Sequence, residues 1–249
     1  MNTPHIEIIT PITSDVSDVD KWLGDFELQG ITLGNTGLDA GPASIENSYE
    51  EALSVPDILV KAARAEAQGA AGIVINCMGD PGLAAVRELV AIPVLGPAET
   101  SLHLAAMLGR RIGSLNVLDS VRPCVENLLT IYGLRERFAS FRSVGIPVLE
   151  IDKDPVSTRG HLLQCALSAI REDGADVLIL NCTGFTGMAD LLMSDLAEQG
   201  YSVPVIDPLP LTIRTLASLI QQGLCHSKQT YATPDRGKPL PGYPLLGKC

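Results

Sequence analysis

Two cysteines occupy nearly the same short passage: Ile73-Val-Ile-Asn-Cys77-Met-Gly-Asp-Pro-Gly82 and Leu178-Ile-Leu-Asn-Cys182-Thr-Gly-Phe-Thr-Gly187. In each, branched aliphatic residues end in Asn-Cys and pass through Gly toward a helix start. A thiol is an acid and its thiolate a base. Two of them facing one planar carbon could therefore remove a proton on one side and deliver one on the other, which inversion of an acidic stereocentre without a cofactor requires. A helix N-terminus behind each sulfur is expected to lower its pKa from ~8.5 toward neutrality. The amides of Met78, Gly79 and Asp80, and of Thr183, Gly184 and Phe185, could hold a carboxylate or a developing enolate. Such a pair should stand apart, whereas a disulfide needs direct sulfur contact.

Other landmarks repeat with the cysteines. Gly69-Ala70 matches Gly174-Ala175, Ile6 to Ser14 matches Ile112 to Ser120, and Ile92-Pro-Val-Leu-Gly-Pro97 matches Val203-Pro-Val-Ile-Asp-Pro208. The chain reads as a duplicated half. Short aliphatic runs alternate with amphipathic stretches, the pattern of parallel strands covered on both faces by crossover helices, so the fold class is α/β. Strands are expected at 5–10, 28–33, 72–76, 92–95, 111–117, 145–151, 177–181 and 203–206. Helices are expected at 57–68 after Val55-Pro56, from Asp80-Pro81 to about 91, and at about 98–109, 120–132, 155–172, 187–199 and 209–222. One lobe then covers 1–97 and is completed by the helix at about 208–225. A second covers 98–207, and 226–249, with Lys228, Arg236, Lys238 and Lys248, reads as an extended tail.

Composition narrows the function. The 249 residues are 46% hydrophobic with a net charge of −11, which argues against nucleic acid and anionic membrane as partners, since both need clustered Lys or Arg. No apolar run approaches the ~20 residues that span a bilayer, and the N-terminus has no basic secretory region. A cytoplasmic location is expected, with six reduced cysteines. Cys124, Cys165, Cys225 and Cys249 read as small buried hydrophobes. His5, His103, His161 and His226 form no metal spacing with them, and no G-x-G-x-x-G fingerprint follows either cysteine. No metal and no cofactor is expected.

In an open parallel sheet ligands bind beyond the carboxyl ends of the strands. That places Thr10, Pro11 and Ser14 of the first copy, and Asp119 and Ser120 of the second, beside the thiols as candidate substrate contacts. Met78, Gly79, Asp80, Thr183, Gly184 and Phe185 follow from the cysteine loops, and Glu99 from the strand end after Gly96-Pro97. Asp80 also suits the N-cap of a helix opening at Pro81, and Asn76 and Asn181 could tie neighbouring strand ends together.

At these residues the chain resembles the aspartate/glutamate/hydantoin racemase superfamily, and within it the hydantoin and allantoin racemases. The resemblance runs through Gly41-Pro-Ala-Ser-Ile-Glu46, Ala52-Leu-Ser-Val-Pro56, Cys77 with Asp80-Pro-Gly-Leu83, Pro93-Val-Leu-Gly96 and Glu99. It continues through Tyr132-Gly-Leu134, Cys182, Gly187-Met-Ala-Asp-Leu191, Pro204-Val-Ile-Asp207 and Ser227-Lys228 with Tyr231-Ala232. It implies two pseudo-symmetric Rossmann-like lobes, each with a mainly parallel four-stranded sheet, the active site in the interlobe cleft, a homo-oligomer, and Cys77 and Cys182 as catalytic residues without pyridoxal phosphate or metal. The implied reaction is 1,1-proton transfer on a hydantoin, allantoin or related small ring. Aspartate or glutamate racemisation, maleate-type cis-trans isomerisation and a non-catalytic two-lobed binding protein are the alternatives. Three stretches depart from the family: Thr10-Pro-Ile-Thr-Ser14 replaces Asn-Pro-Asn-Thr/Ser, Gly79 precedes a single acid at Asp80, and the loop after Cys182 is longer. Substrate shape should differ accordingly.

Overall fold

The computed structural model describes residues 3–235, 239–243 and 246. Cys249, Arg236, Lys238 and Lys248 lie outside them. Among the described residues eight strands form two four-stranded sheets that share one plan. The first contains β1 (His5–Ile9), β2 (Thr32–Thr36), β3 (Gly72–Ile75) and β4 (Val94–Leu95) in the order β2-β1-β3-β4, all parallel. The second contains β5 (Ile112–Asn116), β6 (Phe138–Ser143), β7 (Val177–Leu180) and β8 (Val205–Ile206) in the order β6-β5-β7-β8, again parallel. The central strands are buried on both faces, as their unbroken aliphatic runs require.

Among the described residues eight helices cover the sheets: α1 (Ser17–Asp25), α2 (Ser48–Ala67), α3 (Leu83–Leu89), α4 (Pro97–Leu108), α5 (Arg122–Ile131), α6 (Pro155–Arg171), α7 (Ala189–Glu198) and α8 (Pro208–Gln221). Leu209, Ile213, Leu216 and Ala217 of α8 pack against Ile6, Ile8, Val74 and Leu95 of the first sheet, so the last helix returns to the first half. Its neighbour α4 lies against β7 of the second sheet, with Ala98, Leu102 and Ala105 beside Val177 and Ile179. Among the described residues no helix is long and apolar enough to cross a membrane.

Several elements differ from the sequence expectation, and some of the differences shape the cavity. The strand expected at 145–151 lies at Phe138–Ser143, and Val148–Lys153 is a 3-10 turn. Pro147 has no amide for a ladder, while Phe138–Ser143 can pair along β5. The strand expected at 28–33 is shifted to Thr32–Thr36 because Gly30, at φ 76, turns the chain first. Helix α2 begins at Ser48, well before Pro56. Asn47 accepts the Glu50 amide at 3.0 Å and the Glu50 carboxylate accepts the Glu46 amide at 2.7 Å, a reciprocal N-terminal cap that outweighs the proline inside the helix.

Helix α1 was not anticipated at all. Val19, Trp22, Leu23 and Phe26 recur at helical spacing and pack on the first-lobe core, so the signal was present in a short amphipathic segment. Beyond α8, the Lys228 ammonium donates to the Arg87 and Val90 carbonyls at 2.8 and 2.6 Å, satisfying the carbonyl end of α3.

Candidate active site

Each thiol loop begins where a central strand ends. The Asn76 amide donates to Ile9 O of β1 at 2.8 Å, and the Asn181 amide donates to Leu115 O of β5 at 2.7 Å. The chain then leaves its sheet at equivalent points in the two lobes. Two residues later the copies coincide again: the Gly79 amide donates to Cys77 Sγ and the Gly184 amide to Cys182 Sγ, both at 3.4 Å. Both cysteines line one cavity of about 610 Å³. Both are free thiols.

The electrostatics of these sulfurs run opposite to the sequence expectation. Burial pushes the Cys77 thiol well above its ordinary range, and the nearby Cys182, Glu51 and Asp80 add to the rise. Burial also raises Cys182, to about 11, with Glu46 and Asp152 contributing. The single Gly amide on each sulfur does not offset this. The helices expected directly behind the thiols begin only at Leu83 and Ala189, too far along the chain for their first turns to act on sulfur.

Of the anticipated contacts, Pro11, Ser14, Met78, Gly79, Thr183 and Gly184 line the cavity, as do Thr10, Asn76 and Asn181. Asp80, Glu99, Asp119, Ser120 and Phe185 do not form its wall. Asp80 is buried behind the loop, where its carboxylate accepts the Ala98 and Glu99 amides at 3.0 and 2.8 Å and the Tyr132 hydroxyl at 2.7 Å. It therefore holds the N-terminus of α4, not that of α3, whose N-cap is Gly82. Glu99 pairs with Arg87 on the far side of that helix start. Asp119 is exposed and accepts the Ser143 hydroxyl at 2.9 Å, while the Ser120 hydroxyl donates to Glu46 O at 2.7 Å. Phe185 is completely buried in the second-lobe core.

Several wall residues carried no sequence signal for a site. Trp22, Val16 and Val19 arrive with α1, and Val148, Leu149 and Asp152 with the 3-10 turn that replaced the expected strand. Glu51 arrives with the early start of α2, and Cys124 from α5 sits beside it, its sulfur 3.2 Å from the Ser48 hydroxyl. Cys124 is thus a cavity residue where a buried hydrophobe was expected. Cys225 is exposed and donates to Ala91 O at 2.8 Å, while Cys165 packs against the second-lobe core as anticipated.

The amides beside the thiols are mostly engaged. Gly79 and Gly184 serve the sulfurs, and Asp80 and Phe185 donate to the carbonyls of Cys77 and Cys182 at 3.0 and 3.1 Å. Among the described residues the Met78 and Thr183 amides have no partner. Among the described residues the cavity wall holds the carboxylates of Asp15, Asp18, Glu51 and Asp152 but no Lys, Arg or His. No group of three or more His, Cys, Asp or Glu side chains among the described residues is arranged to hold a metal ion.

Comparison with known proteins matches residues 29–216 to the family model for Asp/Glu/hydantoin racemase. A hydantoin racemase of Pseudomonas sp. (strain NS671) is 36% identical over 197 residues, which is 79% of this chain and 77% of the relative. A hydantoin racemase of Rhizobium meliloti is 35% identical over 194 residues, 78% of each chain. Among solved structures, an allantoin racemase from Klebsiella pneumoniae superposes with a TM-score of 0.90 at 29% identity, covering 98% of both chains.

Proposed function

This chain belongs to the Asp/Glu/hydantoin racemase family and is a racemase, an isomerase; from that premise we propose that Cys77 and Cys182 exchange the acidic ring proton of a 5-substituted hydantoin, allantoin or a related neutral ring. The observation that carries the reading is one cavity holding two equivalently placed free thiols and, among the described residues, no cationic side chain. A free amino-acid carboxylate, or the two carboxylates of maleate, would enter among four carboxylates with no Lys, Arg or His of the described residues to meet them. A neutral ring carries no such penalty.

In the forward direction the thiolate of one cysteine takes the C5 proton while the thiol of the other stands on the opposite face. The electron pair left at carbon moves into the adjacent carbonyl, giving an enolate whose oxygen the unengaged Met78 and Thr183 amides can meet. Protonation from the opposite thiol inverts the centre and exchanges the roles of the two sulfurs. With Cys182 as the base and Cys77 as the acid, one enantiomer is consumed. The reverse assignment forms after one turnover and serves the other enantiomer. Val16, Val19, Trp22, Val148 and Leu149 give an apolar wall for the ring substituent.

The test is a screen of enantiomerically pure hydantoins, allantoin, aspartate and glutamate for loss of optical rotation in deuterated water. Hydantoins or allantoin should racemise with deuterium entering C5. Racemisation of the acidic amino acids alone would overturn the substrate reading.

A further inference from the structure

The mechanism above gives no task to any of the four cavity carboxylates, and one of them is set apart by its place. Glu51 lies in the first turn of α2, half-buried, with its side chain on the cavity wall. A Cβ placed on Gly79 would stand 3.1 Å from Glu51 Oε2 and 3.7 Å from Cys77 Sγ, so carboxylate and thiol flank the same backbone position. Asp15, Asp18 and Asp152 are exposed, by contrast. No ion pair involves Glu51 among the described residues, and burial raises its proton affinity, the sign of a carboxylate short of donors. Its neighbour Cys124 offers only a weak thiol donor.

A hydantoin supplies what is missing. Its N1–H is bonded directly to C5, the carbon whose proton moves. An acceptor beside Cys77 can therefore take the N1–H hydrogen bond while C5 faces the sulfur. The carbonyl that receives the enolate charge is bonded to C5 on the side away from N1, so the same contact turns it from the carboxylate. We propose that Glu51 is the specificity-determining residue of this cavity, accepting the ring N–H adjacent to the reacting carbon. This rests on the ring-racemase reading. Because the contact exists before proton transfer and a nearby negative charge does nothing for an enolate, its effect belongs to binding.

The test compares 5-benzylhydantoin with its N1-methyl derivative in the full-length protein and in Glu51→Ala and Glu51→Gln. Binding is followed by fluorescence of Trp22, the sole tryptophan, which lines the cavity, and turnover by optical rotation. In the parent protein N1-methylation should weaken binding at least about tenfold, since it leaves a buried acceptor unpaired. Glu51→Ala should weaken binding of the unmethylated ring by about the same factor and leave the methylated ring's affinity nearly unchanged, with the loss seen in KM. Glu51→Gln, which keeps an acceptor oxygen, should recover part of it. Equal weakening of both compounds, or unchanged discrimination, would overturn the role of Glu51. Discrimination in binding without racemisation by the parent would instead overturn the catalytic reading and leave Glu51 as the N–H acceptor. Absence of binding of either compound would overturn both.

Discussion

The Thr183 hydroxyl lies 3.4 Å from the Asn76 carbonyl oxygen and donates to it, tying the residue after one thiol to the residue before the other. Asn76 is itself fixed to the first sheet, its side-chain amide donating to Thr10 Oγ1 at 3.1 Å. The second-lobe loop is therefore located against a rigid strand end of the first. Asn181, the counterpart of Asn76, makes no such side-chain bond among the described residues, so this tie has no symmetric copy.

Replacing Thr183 by Val keeps the shape and removes the donor. Losing one long, partly buried hydrogen bond should cost ~0.5–1.5 kcal/mol of stability, a melting shift of a few degrees for a chain this size. Under the proposed two-thiol mechanism the catalytic effect should be larger than that shift suggests, because proton transfer would depend on sub-ångström placement of the second sulfur. Thermal melting and racemisation rates of Thr183→Val measured together check this. A rate within twofold of the parent would show that the loops keep their separation without the tie.

Removing either thiol should separate exchange from inversion. Cys77→Ser and Cys182→Ser are each expected to reduce racemisation by roughly 10²–10⁴-fold, the usual worth of a positioned acid or base. The remaining thiol can still remove and return a proton on its own face. Each variant should thus wash solvent deuterium into one enantiomer without inverting it, and the two variants should favour opposite enantiomers. Proton NMR of the C5 position reads this directly.

In the proposed two-thiol mechanism the raised thiol pKa values would set the pH dependence. With Cys182 at about 11 in the folded protein against an ordinary 9.0, its thiolate is scarce at neutral pH. At subsaturating substrate kcat/KM should climb about tenfold per pH unit from pH 7 toward 10. The linkage has the opposite sign for stability. The folded state holds this proton where the unfolded chain has released it, so stability is undiminished below pH 9 and is lost as pH rises toward 11. Cys182→Ser should remove that part of the alkaline loss in denaturant titrations.

The doubled architecture was legible because a strand buried on both faces must be written in aliphatic residues, and Ile73–Ile75 and Val177–Leu180 are. The thiols were legible for the same reason: a cysteine at the end of such a run can stand only at a strand terminus. The rest of the cavity was not, because its wall comes from elements whose sequence period is weak or misleading. Pro56 suggested a helix boundary, while the cap at Asn47, nine residues upstream, decided where α2 starts and so where Glu51 points. Aliphatic Val148–Ile151 suggested a strand, yet Pro147 and the pairing of Phe138–Ser143 left it as a turn over the cavity. The thiol pKa values depend on burial and on through-space carboxylates, quantities that local sequence does not record.

Asp80 provides a test that reads the scaffold apart from the chemistry. It is buried, its backbone is at φ 47, and its carboxylate satisfies two amides of α4 and the Tyr132 hydroxyl. Burial nonetheless outweighs these donors and raises its pKa from 3.8 to about 6. A raised folded pKa means its contribution is full below pH 3.8 and is lost as pH climbs through 6. Asp80→Asn, which keeps an acceptor oxygen and the shape, should flatten this part of the melting profile between pH 4 and 6. Asp80→Ala should cost on the order of 3 kcal/mol by leaving three donors without an acceptor. Gly96→Ala should resemble it, since a Cβ at Gly96 would fall on the Asp80 carboxylate and drive it off the α4 amides. Melting curves of the three variants check these effects. A profile for Asp80→Asn that parallels the parent would show that Asp80 does not titrate in this range.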